Sequence, residues 1–339
     1  LTTSSAASDV YKRQQENLNL LNKKIIFTSG ATESNNLALF GFARNFKQKT
    51  GRYGNIITLK TEHKAVLEPI RQLKKEGFSV TELYPESDGL ISEENLINAL
   101  RDDTFLISIM LANNEIGVIQ PIEKIFKICQ KNNIKLHTDA AQCLGYVPMR
   151  NFNSLANMIT LSSHKIYGPK GIGLLIIDED IQLNPLFYGG GQEFGYRSGT
   201  IPLPLIVGFS KAIELAIKNQ ARNSTHLASL RDALMNGLLK RNSQILINGS
   251  IFHRLPHNLN LTVQDINGPK FHKYIKHQIV CSSGSACSNG KVSHVLPSIG
   301  RSLKEAESSV RLSIGLTTTS DEIDKSIAVI TETINKLRK

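Results

Sequence analysis

The sequence predicts an α/β protein with a mostly parallel central sheet flanked by helices, followed by a smaller α+β domain. Three observations support this prediction. Short apolar, β-branched runs recur through the first half of the chain, helical segments separate several of them, and a long helical stretch precedes a region of mixed strands and helices. Strands that alternate with helices are typical of βαβ units, whose strands lie parallel in one sheet.

The predicted strands of the first region are short and each is followed by a polar or glycine-bearing turn. They cover Lys24–Thr28, Asn55–Leu59, Phe105–Leu111, Lys135–Thr138, Met158–Leu161 and Ile172–Ile177. Apolar residues at helical spacing predict helices over Ser34–Thr50, Ala65–Glu76, Ser92–Arg101 and Pro121–Asn132. Parallel sheets place their functional loops at the carboxyl ends of the strands, so the polar clusters there are candidates for a site.

A long helix is predicted from Leu205 to about Arg241. The strands predicted after it are Gln244–Asn248, Asn258–Thr262, Gln278–Cys281 and Ser309–Ile314, with helices near Ser293–Ile299 and Ser320–Leu337. We expect three parts: a disordered or foreign leader (1–14), a large cofactor-binding domain (15–220) and a small domain (221–339) that carries a cysteine loop at about 281–294.

Composition limits the class of protein. Among 339 residues, 40% are hydrophobic and 20% charged, as in ordinary globular domains, and no apolar run reaches the length of a membrane span. The net charge is +11, yet the basic residues are scattered and not interleaved with aromatic residues, so we expect no nucleic-acid partner. An acidic protein partner or an anionic substrate fits the charge equally well.

Four cysteines at irregular spacing are too few for a disulfide framework or a zinc site, which favours a reducing compartment. We therefore expect a cytoplasmic protein without a structural metal. The first residue is not methionine, from which we expect a truncated start, and an organellar location stays open.

Lys165 is the first candidate for chemistry. It lies in the segment Leu-Ser-Ser-His-Lys-Ile-Tyr-Gly (161–168), between an apolar run and Gly-Pro-Lys-Gly. An amine held by hydroxyls and glycines at the end of a strand suits reversible condensation with the carbonyl group of pyridoxal phosphate. The alternative is a solvated charge beside a glycine turn.

Two further clusters follow predicted strands. Thr28–Asn35 (Thr-Ser-Gly-Ala-Thr-Glu-Ser-Asn) opens a helix and offers free N–H groups and the Thr32 hydroxyl to a phosphate, although an ordinary helix cap is the alternative. Asp139 could hold a pyridine nitrogen protonated and Gln142 could reach the ring's phenolic oxygen. The alternative for Asp139 is a cap of the following turn.

Two more strand ends and a loop complete the candidates. His63 could stack on an aromatic ring and move protons, and Asn114 could donate to a ring oxygen or a substrate carboxylate. Cys287 lies in Ser-Ser-Gly-Ser-Ala-Cys-Ser-Asn-Gly (282–290), a small-residue loop that suits a nucleophilic thiol, with a cysteine filling a tight turn as the alternative. Cys281 ends an apolar run and is expected to be buried and inert.

Taken together, the ordered motifs TSGATESNN, TEHKAV, NNEIGVIQPI, HTDAAQ, SSHKIYGPKG, RSGT, SSGSAC and SVRLSIG resemble those of cysteine desulfurases, fold-type-I pyridoxal-phosphate enzymes of the class V aminotransferase group. The resemblance covers roughly Leu21 to the C-terminus. It implies a fold-type-I transferase architecture and pyridoxal 5'-phosphate as cofactor.

The resemblance also implies roles for individual residues. Lys165 would form the Schiff base, His63 would stack on the ring, and Cys287 would be the nucleophile. Asp139 would pair with the ring nitrogen and Arg311 would clamp the substrate carboxylate, with Asn114 beside the substrate. The remaining cofactor contacts would come from Ala31, Thr32, Gln142, Ser162, His164 and, from the partner subunit of a homodimer, Thr200.

The implied reaction removes sulfur from L-cysteine, giving L-alanine and a Cys287 persulfide. Its sulfur would pass to an iron–sulfur scaffold or another acceptor protein, and Cys287 would contact a nascent iron–sulfur cluster only transiently. The loop resembles the long-loop group, but Lys-Val-Ser-His294 is tighter than the usual Glu-Pro-Ser-His spacing. The family's first strand, with a Leu-Asp-x-x-Ala-Thr-Thr-like segment, is not found. Alternatives are a selenocysteine lyase, another class V aminotransferase and a non-catalytic homologue.

Overall fold

A seven-stranded sheet forms the centre of the first unit of the computed structural model, which describes residues 11, 14–149, 152–282 and 293–338. This unit comprises Leu1–Leu83, Ser92–Leu111 and Pro121–Gln220. Its strands are β1 (Lys23–Thr28), β2 (Asn55–Leu59), β3 (Ser79–Leu83), β4 (Thr104–Ser108), β5 (Lys135–Asp139), β6 (Met158–Ser162) and β7 (Gly173–Asp178).

The strand order is β1-β7-β6-β5-β4-β2-β3. The five strands from β6 to β3 are parallel neighbours, whereas β7 is antiparallel to both β6 and β1. The carboxyl ends of β1, β2, β4, β5 and β6 therefore lie at the same edge of the sheet. The predicted fold class, a mostly parallel sheet flanked by helices with a smaller second part, is confirmed.

Helices cover this sheet because their apolar stripes face it. They are α1 (14–17), α2 (Ala31–Thr50), α3 (Lys64–Lys75), α4 (Glu93–Asn98), α5 (Ile122–Lys131) and the first part of α6 (Leu203–Arg241). In α3, the buried residues Val66, Ile70 and Leu73 follow the spacing of one helix face. They join one apolar core with Leu37 of α2 and Ile56 of β2.

The second unit comprises Tyr84–Ile91, Ala112–Gln120 and Ala221–Lys339. Its antiparallel sheet has the order β10-β9-β8, and its elements are β8 (Ile245–Ile247), β9 (Asn258–Val263), α7 (Gly268–Ile275), α8 (Val295–Ser298), α9 (Leu303–Glu307), β10 (Ser309–Ser313) and α10 (Ser320–Arg338). Two excursions of the chain, at 84–91 and 112–120, thus join a unit formed mainly by residues beyond 220.

The predicted strand Gln278–Cys281 is wrong. The N–H groups of Gln278 and Ile279 both donate to the carbonyl of Ile275, so this apolar run closes the last turn of α7 instead of entering a sheet. Ser282, the next residue, forms an isolated bridge to Arg311 of β10. Sequence patterns missed β3, α7 and α9, which are short and carry mixed polar and apolar residues.

Tyr11 and Gln14 lie in the segment predicted as a disordered or foreign leader, and the structure describes both residues. The Tyr11 ring lies edge-on to Phe27 at 5.1 Å between centroids, and its hydroxyl donates to Glu193. Gln14 is buried. The leader stays a prediction, and residues 1–10, 12 and 13 lie outside the described residues.

Among the described residues, no helix combines the length and apolar character that crossing a membrane requires.

Gly268 tests the packing of the second unit. A Cβ atom there would lie 2.1 Å from the carbonyl oxygen of Glu307, a backbone atom that cannot move aside cheaply. We expect Gly268→Ala to lower the free energy of unfolding by about 2 kcal/mol or more, as overpacking does. Gly190→Ala is the control, because the atoms nearest to its Cβ would belong to the flexible Gln192 side chain, at 3.1 Å. Urea unfolding followed by circular dichroism measures both; equal midpoints would contradict the prediction.

Candidate functional site

Polar side chains gather at the carboxyl edge of the parallel strands of the first unit. His63 follows β2, Asp139 ends β5, and Ser162 ends β6, with Lys165 three residues later. The helix start at Ala31 follows β1. The parallel pairing brings to one edge residues that lie far apart in sequence.

The start of α2 is an open anion site. Its N-cap is Gly30, which offers no side-chain cap, and the N–H groups of Ala31 and Thr32 have no acceptor among the described residues. Gly30 has φ 154°, which favours glycine. Gly173 of β7 lies so close that a Cβ atom would be 2.7 Å from the Gly30 backbone. The uncapped N–H groups and the helix dipole favour a bound anion such as a phosphate.

An ion pair braces this helix start. Glu33 accepts a hydrogen bond from Ser29 N at 2.7 Å and pairs with Arg197 Nε at 2.9 Å. Burial raises the pKa of the Glu33 carboxyl, but the hydrogen bonds from Ser29 and Arg197 outweigh it, and the net pKa is lowered. Arg197 belongs to the Arg-Ser-Gly-Thr motif, so this motif is tied to the start of α2 through Glu33.

Lys165 lies in a 3-10 turn, Ser163–Ile166, directly after β6, and its side chain is exposed. Tyr167 closes the turn in a left-handed conformation, φ 63°, and its hydroxyl bonds to that of Tyr146. Tyr146 also donates to the Lys165 carbonyl at 3.4 Å. A left-handed non-glycine residue is strained, and such strain persists where neighbouring contacts hold it, as these two tyrosines do.

Ser162 and His164 bond to each other, with 3.0 Å between Ser162 Oγ and His164 Nδ1. Partial burial and the charges of Lys165 and Lys170 lower the pKa of His164. At neutral pH, His164 is therefore a neutral ring beside a hydroxyl. Depending on the tautomer, either the ring Nε2–H or the Ser162 hydroxyl has a proton to donate to an anion.

Asp139 is buried, with 7% of its surface exposed. Its Oδ1 accepts from Ala141 N at 3.0 Å and its Oδ2 from Asn35 Nδ2 at 2.7 Å. Among the described residues, Asp139 makes no ion pair, so its carboxylate has two neutral donors and no cation. Such a carboxylate suits a positively charged ring N–H, because buried charges need a partner.

His63 is the N-cap of α3, and its Nδ1 accepts from Ala65 N at 3.1 Å. The neutral ring therefore carries its proton on Nε2. The preceding residue, Glu62, is fully buried and its Oε1 accepts from Met110 N at 2.7 Å. Burial raises the pKa of Glu62 well above its usual range, against the Met110 N–H and with the help of Asp139.

The second unit brings Asn114 and Arg311 together. Arg311 Nη1 donates to the backbone carbonyl of Asn114 at 3.0 Å, and the Arg311 backbone exchanges two hydrogen bonds with Ser282. The other guanidinium nitrogens of Arg311 have no acceptor within the described ranges, which leaves donors for a carboxylate. Cys287 lies outside the described residues.

Gln142 and Thr200 have no hydrogen-bond partner among the described residues; Gln142 is half-buried, and Thr200 is exposed in the loop before α6. Cys129 and Cys143 are buried, and burial raises the pKa of Cys129 to about 12 and that of Cys143 well above its usual range. The thiols of Cys129 and Cys143 are therefore protonated at neutral pH and unsuited to nucleophilic attack. Burial also raises the pKa of the half-buried Cys281.

The chain matches the family model for class-V aminotransferases over residues 3–325. A mitochondrial cysteine desulfurase from Eremothecium gossypii is 46% identical over 321 residues, 94% of this chain and 64% of that protein. The cysteine desulfurase IscS of Histophilus somni is 45% identical over 320 residues, 93% of this chain and 78% of that protein.

The chain belongs to the class-V aminotransferase family.

Its relatives place it among the cysteine desulfurases of this family, which confirms the predicted family and enzyme class. Solved structures agree. A NifS-like protein superimposes with a TM-score of 0.90 at 33% identity, covering 98% of this chain and 88% of that one. The structure of SspA in complex with cysteine is 36% identical with a TM-score of 0.78, covering 92% and 88%.

Class-V aminotransferases depend on pyridoxal phosphate, and the residues of this unit fit that group. The uncapped start of α2 supplies anion donors, the Asp139 carboxylate has no cation within the described part of the chain, and the exposed Lys165 supplies an amine. Sequence reasoning missed Asn35, Glu62 and Glu33, although all three stand in the quoted motifs. A polar residue at a buried helix position was the available signal for Asn35.

A substitution of His137 would test the buried polar network near this site. It is fully buried between Ser108 Oγ (2.8 Å) and Thr160 Oγ1 (3.2 Å), and burial lowers its pKa to about 3. The folded state therefore stays unprotonated where the unfolded histidine, with a pKa near 6.5, takes up a proton, so stability falls as pH falls below about 6.5.

Between pH 7 and pH 5 this histidine is expected to cost the fold about 2 kcal/mol. The variant His137→Asn should therefore lose less stability than the natural chain over that interval, even if it is less stable at pH 7. Urea unfolding at both pH values measures the difference, and parallel losses in the two proteins would refute the prediction.

Proposed function

We propose that this chain is a pyridoxal-phosphate-dependent desulfurase that converts L-cysteine to L-alanine and leaves the sulfur as a persulfide on Cys287. One observation carries the proposal: an anion site, a cation-free carboxylate and a lysine amine meet at one edge of a parallel sheet. The names of the curated relatives and of the cysteine complex support the substrate.

Different residues would bind the phosphate and the ring of the cofactor. The N–H groups of Ala31 and Thr32, with Ser162 and His164, would hold the phosphate, and Asp139 would accept a hydrogen bond from the ring nitrogen. Gln142 would bond to the ring's phenolic oxygen, and Asn114 is placed beside ring and substrate by the resemblance alone. When bound, pyridoxal phosphate accepts the electrons released as a bond to the substrate's Cα breaks.

Lys165 and His63 would move protons. The Lys165 amine would bind the cofactor covalently. Once the substrate displaces it, the amine would take up and deliver the proton of the substrate's Cα. His63 would stack on the ring. Because its Nδ1 is occupied by the Ala65 N–H, proton transfer would run through Nε2.

Arg311 and Cys287 would act on the substrate. The free guanidinium donors of Arg311 would bind the substrate carboxylate. The Cys287 thiolate would attack the substrate's sulfur, so that a sulfur–sulfur bond forms as the Cβ–sulfur bond breaks and Cβ takes up a proton. The products balance as alanine and the Cys287 persulfide.

We place the chain in a homodimer in which Thr200 of one protomer completes the phosphate site of its partner; the exposure of Thr200 supports this. A sulfur-acceptor protein, such as an iron–sulfur scaffold, is the expected partner, and the net charge of +11 favours an acidic one. We propose a cytoplasmic location, although one relative is mitochondrial.

The first test separates cofactor from nucleophile. Lys165→Ala should lose the visible absorption band of the lysine-bound cofactor and, like Cys287→Ala, lose at least about 10³-fold in alanine release from cysteine. Cys287→Ala should keep the band. Cys129→Ala, a buried thiol with a raised pKa, is the matched control and should stay within about twofold of the natural rate. Undiminished alanine release by Cys287→Ala would exclude the assignment.

The second test concerns carboxylate binding. Arg311→Lys keeps the charge but loses the fork of donors, so we expect KM for cysteine to rise about 10- to 100-fold with a smaller change in kcat. Steady-state kinetics of alanine formation measure this. Arg301→Lys, which alters an arginine bonded to Asn248 and Ile247, is the control. A fall in kcat at constant KM would show that Arg311 does not bind the substrate's ground state.

A further inference from the structure

Asn35 makes the contact that no sequence motif assigned. It is the fifth residue of α2 and is fully buried. Its Nδ2 donates to Asp139 Oδ2 at 2.7 Å across 104 positions of sequence, while Asp139 Oδ1 accepts from Ala141 N. Each carboxylate oxygen thus accepts one hydrogen bond, and the two bonds fix the carboxylate plane. Lone pairs remain on both oxygens for one further donor.

Burying the Asn35 side chain costs free energy, because one of its polar atoms is unpaired. Its Oδ1 is buried and has no hydrogen-bond partner among the described residues. Buried polar atoms in native proteins are nearly always paired, and an exception needs an explanation. An apolar residue at this position would bury no unpaired oxygen, but it could not donate a hydrogen bond to Asp139.

Glu62 is a second buried carboxyl group near Asp139. This carboxyl is fully buried, and burial raises its pKa well above the usual range, opposed by the Met110 N–H and assisted by the nearby Asp139. Two buried carboxyl groups whose environments differ divide the roles between them. Burial favours the neutral form of Glu62, whereas Asp139 is the member that accepts hydrogen bonds from two donors, Asn35 Nδ2 and Ala141 N.

We propose that Asn35 is a positioning residue for the cofactor: it orients the Asp139 carboxylate to receive the protonated ring nitrogen of pyridoxal phosphate. The inference rests on the proposed cofactor. It makes α2 the element that anchors both ends of that group. The N–H groups of its first turn face the phosphate, and the Asn35 amide acts on Asp139 about 6 Å further along the helix axis.

The experiment compares the affinity of the apoenzyme for pyridoxal phosphate in three variants, by fluorescence titration. Asn35→Ala should raise Kd about 10-fold or more, equal to about 1.4 kcal/mol, and lower kcat with less than a twofold change in KM for cysteine. The control is Asn45→Ala, which removes a similar amide bond on the same helix, to Asn184 at 3.1 Å. Its Kd should stay within twofold, whatever its thermal midpoint.

The third variant, Asn35→Asp, keeps the shape of the side chain and so remains informative if Asn35→Ala folds poorly. Its new carboxyl group can donate to Asp139 only when protonated. Its Kd relative to the natural chain should therefore be much higher at pH 8 than at pH 6. Unchanged Kd values in both Asn35 variants would overturn the proposal and leave Asn35 a structural residue.

The same titration distinguishes the two levels of inference. If the natural chain binds no pyridoxal phosphate, the cofactor proposal and the Asn35 proposal both fail. If it binds pyridoxal phosphate but releases no alanine from cysteine, only the proposed reaction fails, and the ratio of Kd values still decides the role of Asn35.

Discussion

Parallel pairing of β2, β4, β5 and β6 is the constraint on which the candidate site depends. Because these strands run in the same direction, their carboxyl ends meet at one edge, and the residues that follow them are collected there. β7 runs the other way between β6 and β1 and returns the chain to the first strand, so that the start of α2 stands at the same edge. Gly173 permits this approach, because any side chain there would strike the Gly30 backbone.

Uncapped N–H groups and buried polar side chains determine the electrostatics of the candidate site. Among the described residues, the Ala31 and Thr32 N–H groups at the start of α2 have no acceptor and the Asp139 carboxylate has no cation. Burial raises the pKa of the nearby Glu62 carboxyl well above its usual range. His137, held neutral by burial, contributes shape and hydrogen bonds without charge. These groups favour a ligand that carries both an anionic and a cationic group, such as the proposed pyridoxal phosphate.

In the second unit, Arg311 is the candidate residue for binding a carboxylate. Arg311 stands on β10 between Asn260 of β9 and Ser282, and its guanidinium is tied by one nitrogen to Asn114 O. Because one guanidinium nitrogen is already held, the Arg311 side chain loses less conformational freedom when it binds a ligand, which favours recognition of a carboxylate. Glu115 extends the same framework: its carbonyl accepts from Asn258 and Asn260, and its carboxylate accepts from Ser293.

The sequence by itself determined the fold class, the family and the sheet-edge residues Lys165, Asp139 and His63, because short apolar runs, helical spacing and motif order are local properties of the chain. It could not identify the contact of Asn35 with Asp139, the raised pKa of the buried Glu62 or the ion pair of Glu33 with Arg197. It also predicted a strand at Gln278–Cys281 where the chain closes α7. These features were decided only by the tertiary structure, because hydrogen bonds between distant residues and burial arise when the strands pair and the helices pack.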